Sequence, residues 1–165
     1  MRPTLRKAVP TDIGALLALE RLFPGDRISR RSFAHFLTRA NADVWVYEAG
    51  GRVVADAVVL YRAGSSSARL YSIVVDPSAR GRGVASELVE AVETGARQRG
   101  CRRLALEVRP DNTAAIRLYE KRGYYVRRTL AQFYEDGMDA LRLEKSSPPT
   151  HTKPTHVRQP SFAAA

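Results

Sequence analysis

The chain has 165 residues, with 27 Lys+Arg against 17 Asp+Glu and a formal net charge of +10. At 44% hydrophobic residues it is long enough to bury a full core as one domain, which excludes fibrous, collagen-like and wholly disordered chains. It has no run of about 18 apolar residues to span a membrane and no apolar signal segment in its polar first ten residues.

The single cysteine, Cys101, excludes an internal disulfide framework and suits a reducing, cytoplasmic setting. The charge admits three partners: nucleic acid, an acidic membrane surface or a polyanionic small ligand. There are 23 arginines and 4 lysines, a bias that codon composition alone can produce, so the distribution says more than the total. Residues 1–79 hold 11 basic and 7 acidic side chains, 80–128 hold 12 and 6, and 129–145 hold 2 and 4. The excess is densest in the middle third.

In chain order, residues 4–8 read as a short strand. Thr11 or Asp12 can cap a helix carrying Ile13, Leu16, Leu17 and Leu19, which Phe23-Pro24-Gly25-Asp26 breaks. Ser29 caps a second helix with Phe33, Phe36 and Leu37 on one face. Residues 43–49 and 52–61 are rich in Val and aromatics, and Gly50-Gly51 joins them as a hairpin. A strand over 69–75 follows and ends at Asp76-Pro77. Val84, Leu88, Val89, Val92 and Ala96 have helical spacing over 83–99, with Glu93 and Arg97 placed as an i,i+4 pair. A strand over 103–108 precedes a helix capped by Asp111 or Asn112, which runs to Lys121 and stops at Gly123. Two last strands, 124–132 and 138–143, flank Glu135-Asp136-Gly137. The order β-α-α-β-β-β-α-β-α-β-β predicts a single mixed α/β (α+β) sheet with helices on both faces. Residues 1–145 form the folded domain. Residues 146–165 carry four prolines and two of the three histidines and read as a flexible tail.

Between the strand over 69–75 and the next helix lies Arg80-Gly81-Arg82-Gly83-Val84-Ala85. A helix start exposes unpaired N–H groups and the positive end of its dipole, and glycines let a ligand approach that backbone. Together they suit a pyrophosphate, with Arg80 and Arg82 adding charge. A glycine-eased turn with solvated arginines accounts for the same residues. The G-x-x-x-x-G-K-[ST] phosphate loop is absent. A dinucleotide fingerprint fits poorly, because residues 76–80 separate the strand from Gly81 and Ser86 occupies the third glycine position, although Glu107 stands where a ribose-binding acid is possible.

Val75-Asp76-Pro77 followed by Arg80-Gly81-Arg82-Gly83-Val84-Ala85 resembles motif A of the GCN5-related N-acetyltransferases (GNAT family). Asn112-Thr113-Ala114-Ala115-Ile116-Arg117-Leu118-Tyr119, then Gly123-Tyr124, resembles the family's motif B. The resemblance covers 1–145. It is nearest to the ribosomal-protein-alanine N-acetyltransferases (RimI group), through residues 106–112 and 133–140. Two departures bear on the acceptor: Phe133 replaces a common tyrosine, and Phe23-Pro24-Gly25-Asp26 lacks the Pro-Trp-Ser of the ribosomal enzymes.

The resemblance implies an acetyl-CoA co-substrate, no metal, and direct acetyl transfer to a protein or peptide N-terminal α-amine, a ribosomal protein among the possible acceptors. Such chemistry needs a neutral amine, a stabilised oxyanion and a protonated leaving sulfur. Glu107, at the end of the apolar run Leu104-Ala105-Leu106, is the implied general base, acting directly or through water. Tyr119 is the implied general acid. Ile73, Val74 and Val75 are expected to pair with the extended cofactor arm through their backbones, while Asn112 caps its helix, bonds the arm, or does both. Tyr134, Glu20 and Asp26 are acceptor-binding candidates. Glu135, Asp136 and Asp139 make an acidic cluster that either attracts an amine or is a solvated hairpin tip. Cys101 reads as a packing residue. A small-molecule amine is the alternative acceptor on the same fold. A nucleic-acid-binding module is the alternative of another class, but basic and aromatic residues do not interleave along the chain and no such partner is expected. The charge gradient is then read as a basic cofactor half facing a more acidic acceptor half.

Overall fold

The computed structural model describes residues 2–146. The tail beyond Ser146, with His151 and His156, lies outside the described residues. Seven strands, β1 (Thr4–Lys7), β2 (Ala42–Ala49), β3 (Arg52–Tyr61), β4 (Ser67–Val75), β5 (Arg103–Val108), β6 (Tyr125–Leu130) and β7 (Ala140–Ser146), form one sheet. Its order is β1-β2-β3-β4-β5-β7-β6. Only β4 and β5 pair in parallel; every other neighbour is antiparallel. The helices are α1 (Ile13–Glu20), α2 (Arg30–Thr38), α3 (Val84–Gln98) and α4 (Thr113–Lys121). None of the described helices is long and apolar enough to cross a membrane.

Alternation along the strands divides the core. Val54, Leu70, Leu104, Leu106 and Leu143 join Leu88, Val89 and Val92 of α3 and Tyr119 of α4 on one face. Val44, Val46 and Val58 meet Leu16 of α1 and Phe33 of α2 on the other. Cys101 packs into the α3 side, and burial pushes its thiol up.

Local signals held well. Ser29 accepts from Ser32 N–H at 3.1 Å, and Asn112 Oδ1 accepts from Ala115 N–H at 3.2 Å. Gly50-Gly51 turns the β2–β3 hairpin. Three expectations fail. Asp12 makes no cap bond to α1; its carboxylate accepts from Val9 N–H and Arg6 instead, both at 2.7 Å, because a short 3-10 turn over Pro10–Asp12 precedes the helix. Glu93 does not pair with Arg97. It is turned inward, where Arg122 donates at 3.0 Å and Lys145 at 2.6 Å. The last two strands are also displaced, since 131–139 forms a loop and β7 runs on through Ser146.

One irregularity positions the site. Along the β3–β4 ladder Val58 opposes Ser72 and Val59 opposes Leu70, so Tyr71 is an extra residue on β4. Such a bulge bends its strand. Pairing between β4 and β5 stops at Leu70 and Leu106, just before it. Beyond that point the two strands part, and the β5-facing edge of Ile73, Val74 and Val75 has no strand partner among the described residues.

Candidate active site

Two cavities occupy the gap between β4 and β5. The first, about 600 Å³, is lined by Ile73, Val74 and Val75, by the 79–86 loop and helix start, and by Asn112, Ala115 and Tyr119. The second, about 260 Å³, is lined by Glu107, Tyr134 and Arg109 among others. Ile73, Asn112, Ala115 and Tyr119 belong to both walls.

The loop before α3 is shaped for an anion. Asp76 accepts from Ser78 N–H and Oγ at 2.9 and 2.8 Å, which turns the chain after β4; these bonds hold its carboxyl below the usual range. Gly81 and Gly83 take φ of 76° and 78°, the left-handed region that side chains avoid. Gly83 is the N-cap of α3 and offers no side-chain acceptor, so the first N–H groups of the helix remain available. A Cβ at either glycine would meet nothing within 4 Å, which leaves the backbone open to a phosphate. Arg80 lines the cavity with its guanidinium over the Phe23 ring, 5.6 Å from the centroid. Arg82 is exposed and outside the lining. These features fit the pyrophosphate and pantetheine arm of acetyl-CoA. Gly83→Ala is expected to cost about 1–2 kcal/mol in a urea melt, through backbone strain, and to raise the KM for acetyl-CoA.

In the second cavity Glu107 is nearly buried. Its Oε2 accepts from Arg69 Nε at 3.1 Å, and its Oε1 from Arg142 at 3.2 Å. Each oxygen retains one lone pair for an incoming group. Tyr119 lies at the inner end of α4, 3% exposed, with its ring edge-on to Tyr124. Burial pushes its phenol well above the usual tyrosine range. Asn112 spends its carbonyl on the α4 cap, and its amide nitrogen has no bond among the described residues. Capping and holding the cofactor arm are therefore compatible.

The acceptor candidates separate. Tyr134 faces Glu107 across the second cavity. Arg109 lies over its ring at 4.2 Å and bonds Asp136 at 2.8 Å, so the 131–139 loop is tied to the end of β5. Burial raises the Tyr134 phenol, against the pull of Arg109. Asp26 lines neither cavity; its carboxylate beside Glu135 raises the Glu135 carboxyl. Glu20 also lines neither cavity; its Oε2 accepts from Ile28 N–H at 3.0 Å and closes the 21–28 loop from beneath. Of the acidic cluster, Asp136 caps Met138 N–H and Asp139 accepts from Gln132 N–H, so both shape the loop.

Sequence reasoning missed Phe23, Arg69, Arg109 and Arg142. It also missed Asp56, fully buried on β3 with neither oxygen partnered among the described residues. An acidic residue inside the apolar run 53–60 was the available signal for Asp56. The charge gradient needs correction too. Arg80 and Arg82 stand at the cofactor loop, but Arg99 binds Asp43, Arg122 binds Glu93, and Arg103 and Arg127 approach Glu144 on the acceptor-side sheet face. The middle third is therefore not one basic cofactor wall.

The sequence and fold were compared with known proteins. The model of the acetyltransferase (GNAT) family matches residues 12–124. An uncharacterized N-acetyltransferase of Methanocaldococcus jannaschii is 33% identical over 105 residues, covering 63% of this chain and 66% of that protein. An N-alpha-acetyltransferase of Arabidopsis thaliana is 39% identical over 72 residues, 44% of this chain and 37% of that protein. The chain thus matches less than two thirds of the length of these relatives. The crystal structure of the ribosomal-protein-S18-alanine N-acetyltransferase from Escherichia coli superposes with a TM-score of 0.80 at 26% identity, covering 92% of this chain and 98% of that one. The family model spans more than half of the chain, and the chain belongs to the acetyltransferase (GNAT) family.

Proposed function

We propose that the chain is an acetyl-CoA-dependent N-acetyltransferase of protein or peptide N-terminal α-amines. One observation carries this reading: the cavity fitted to the cofactor and the cavity holding Glu107 share the wall formed by Ile73, Asn112, Ala115 and Tyr119. A thioester reaching down the first cavity meets an amine entering by the second. The names of the Arabidopsis and Escherichia coli relatives support an α-amine acceptor, and a ribosomal protein is one class to test.

The residues divide the work. The helix start at Gly83 and Arg80 hold the pyrophosphate. The free edge of Ile73–Val75 extends the arm, and an N–H near Val75 binds the developing oxyanion. Glu107 takes the proton of the amine, directly or through water. Tyr119 is protonated at neutral pH as any tyrosine is, burial pushes its phenol higher still, and it gives its proton to the departing sulfur. Tyr134 and the Asp26–Glu135 pair flank the amine's entry.

The test is release of free CoA from acetyl-CoA with a panel of peptides and small amines. Turnover is expected with peptides bearing a free α-amine and not with N-terminally blocked ones. Absence of both turnover and acetyl-CoA binding would sink the reading. Tyr119→Phe is expected to lower kcat about 10²-fold with the acetyl-CoA KM little changed, the low end for loss of a proton donor. Unchanged kcat across pH would remove Tyr119 from its role.

A further inference from the structure

Among the described residues the helices leave half of one sheet face uncovered. α1 and α2 lie over the Val44, Val46 and Val58 side, and α3 and α4 cover the opposite face. On the α1–α2 side of β5, β7 and β6 none of the described helices packs. Strand alternation and register bring Arg69 and Tyr71 of β4, Arg103 and Glu107 of β5, Arg142 and Glu144 of β7, and Tyr125 and Arg128 of β6 to that side. A register shift at Arg127 lets this side chain reach Glu144 as well, at 4.0 Å. Five arginines thus stand against two glutamates on one open surface. Tyr71 and Tyr125 are 45% and 47% exposed at its edges.

Two details show a surface shaped for an anion. Arg128 is registered directly opposite Arg142, a like-charged cross-strand pair in which Glu107 and Glu144 compensate Arg142 and leave the Arg128 charge uncovered. Arg128 has no ion-pair partner among the described residues. The carboxylates that are present are shared: Glu144 lies near Arg103, Arg127 and Arg142 at 3.8, 4.0 and 3.7 Å. These long pairs leave most guanidinium donors free.

The face is continuous with the reaction site. Glu107 projects onto it and is held there by Arg69 and Arg142. We propose that the open β5–β7–β6 face docks an acidic segment of the acceptor polypeptide, a few residues beyond its acetylated N-terminus. This rests on the α-amine reading above. From Glu107 to Arg103 is four residues of strand, roughly 13 Å, so about four extended acceptor residues span it. Asp or Glu at about positions 4–7 of the acceptor then meets Arg103, Arg127 and Arg128. A polypeptide accounts for this continuity with Glu107, which a nucleic acid lying on the same arginines does not.

The test uses twelve-residue peptides with one common N-terminus and acidic, neutral or basic residues at positions 4–7. At low salt the acidic peptide is expected to have a KM about five- to tenfold below the neutral one, the scale of two or three exposed ion pairs. High salt should remove the difference, with the acetyl-CoA KM steady. Combined Arg103→Gln, Arg127→Gln and Arg128→Gln should abolish the preference while the neutral peptide is acetylated as before. Arg127→Glu with Arg128→Glu should reverse it toward the basic peptide, a result that loss of folding cannot imitate. Equal KM for all three peptides overturns the docking face alone. Turnover with small amines and with no peptide overturns the α-amine reading itself. Binding of a twelve-nucleotide oligouridylate through these arginines, without any acidic-peptide preference, overturns the proposal in favour of RNA.

Discussion

Glu107→Gln is expected to lower kcat about 10²- to 10³-fold with little change in the KM for acetyl-CoA. Its carboxylate is fixed by Arg69 and Arg142, one on each oxygen, and faces the amine side of the gap rather than the cofactor loop. Glutamine keeps the shape but places an amide N–H2 against one of the two guanidiniums. A donor facing a donor loosens the side chain as well as removing the base. The pH profile separates these effects. An α-amine with pKa near 8 is mostly protonated at pH 6.5 and mostly neutral at pH 9. A missing base therefore matters most at the lower pH, and the deficit is expected to narrow as pH rises. A deficit of constant size would assign Glu107 to positioning alone. Arg69→Gln supplies the complementary case, with the carboxylate retained and one anchor gone. It is expected to cost less than Glu107→Gln and to keep the wild-type pH profile in shape.

Much of the cofactor side was legible in the sequence because its determinants are local. Asn112 caps α4, Gly83 starts α3, and Asp76 turns the chain two residues on. Each signal lies within four residues of what it controls. The amine side was less legible because it is built from pairs far apart in the chain. Glu107 meets Arg69 and Arg142 across 38 and 35 residues, and Arg109 meets Asp136 across 27. Only the sheet order, with β5 between β4 and β7, brings these groups together. The arginine face has the same origin. Basic and aromatic residues that do not interleave along the chain do so across four strands.

The bulge at Tyr71 joins these two kinds of information. It parts β4 from β5, and that opening holds the wall shared by the two cavities. The same bend exposes Tyr71, which rests edge-on to Phe36 of α2 and beneath Arg69. The strand thus presents its backbone edge to the first cavity and its side chains to the second.

The largest stability gain is expected from Asp56→Val. Asp56 is 0% exposed, and neither carboxyl oxygen has a hydrogen-bond partner among the described residues. It sits opposite Val46 and Val74 in the sheet, on the face covered by α1. An unsatisfied buried polar group costs about 1–3 kcal/mol, and valine, close in size and well suited to a strand, removes it. A Tm rise of roughly 3–10 °C is expected for a chain of this length. The pH dependence has a definite sign. Burial raises the folded-state pKa of Asp56 well above its ordinary value, and the negative Glu20 adds to the shift. Burial also raises Glu20. The folded protein therefore holds protons that the unfolded chain releases. Their contribution is complete below about pH 4 and is lost as pH rises toward the folded-state values. Asp12, whose folded pKa is lowered chiefly by its hydrogen bond from Arg6, acts oppositely, with stability lost as pH falls below about 4. The two windows do not overlap. Above about pH 4 the wild type is expected to lose stability with a slope of at most about 1.4 kcal/mol per pH unit for each proton released. Asp56→Asn should flatten that slope with little gain, since an amide still lacks partners, whereas Asp56→Val should flatten it and add the gain. Urea melts across this range decide the matter: an unchanged slope in both variants would mean that Asp56 is not the titrating group. Glu20 also holds Ile28 N–H, and with it the loop carrying Phe23 and Asp26. Ionisation of the pair at higher pH is therefore expected to loosen the acceptor side before the cofactor side, read as a rise in acceptor KM that Asp56→Asn suppresses.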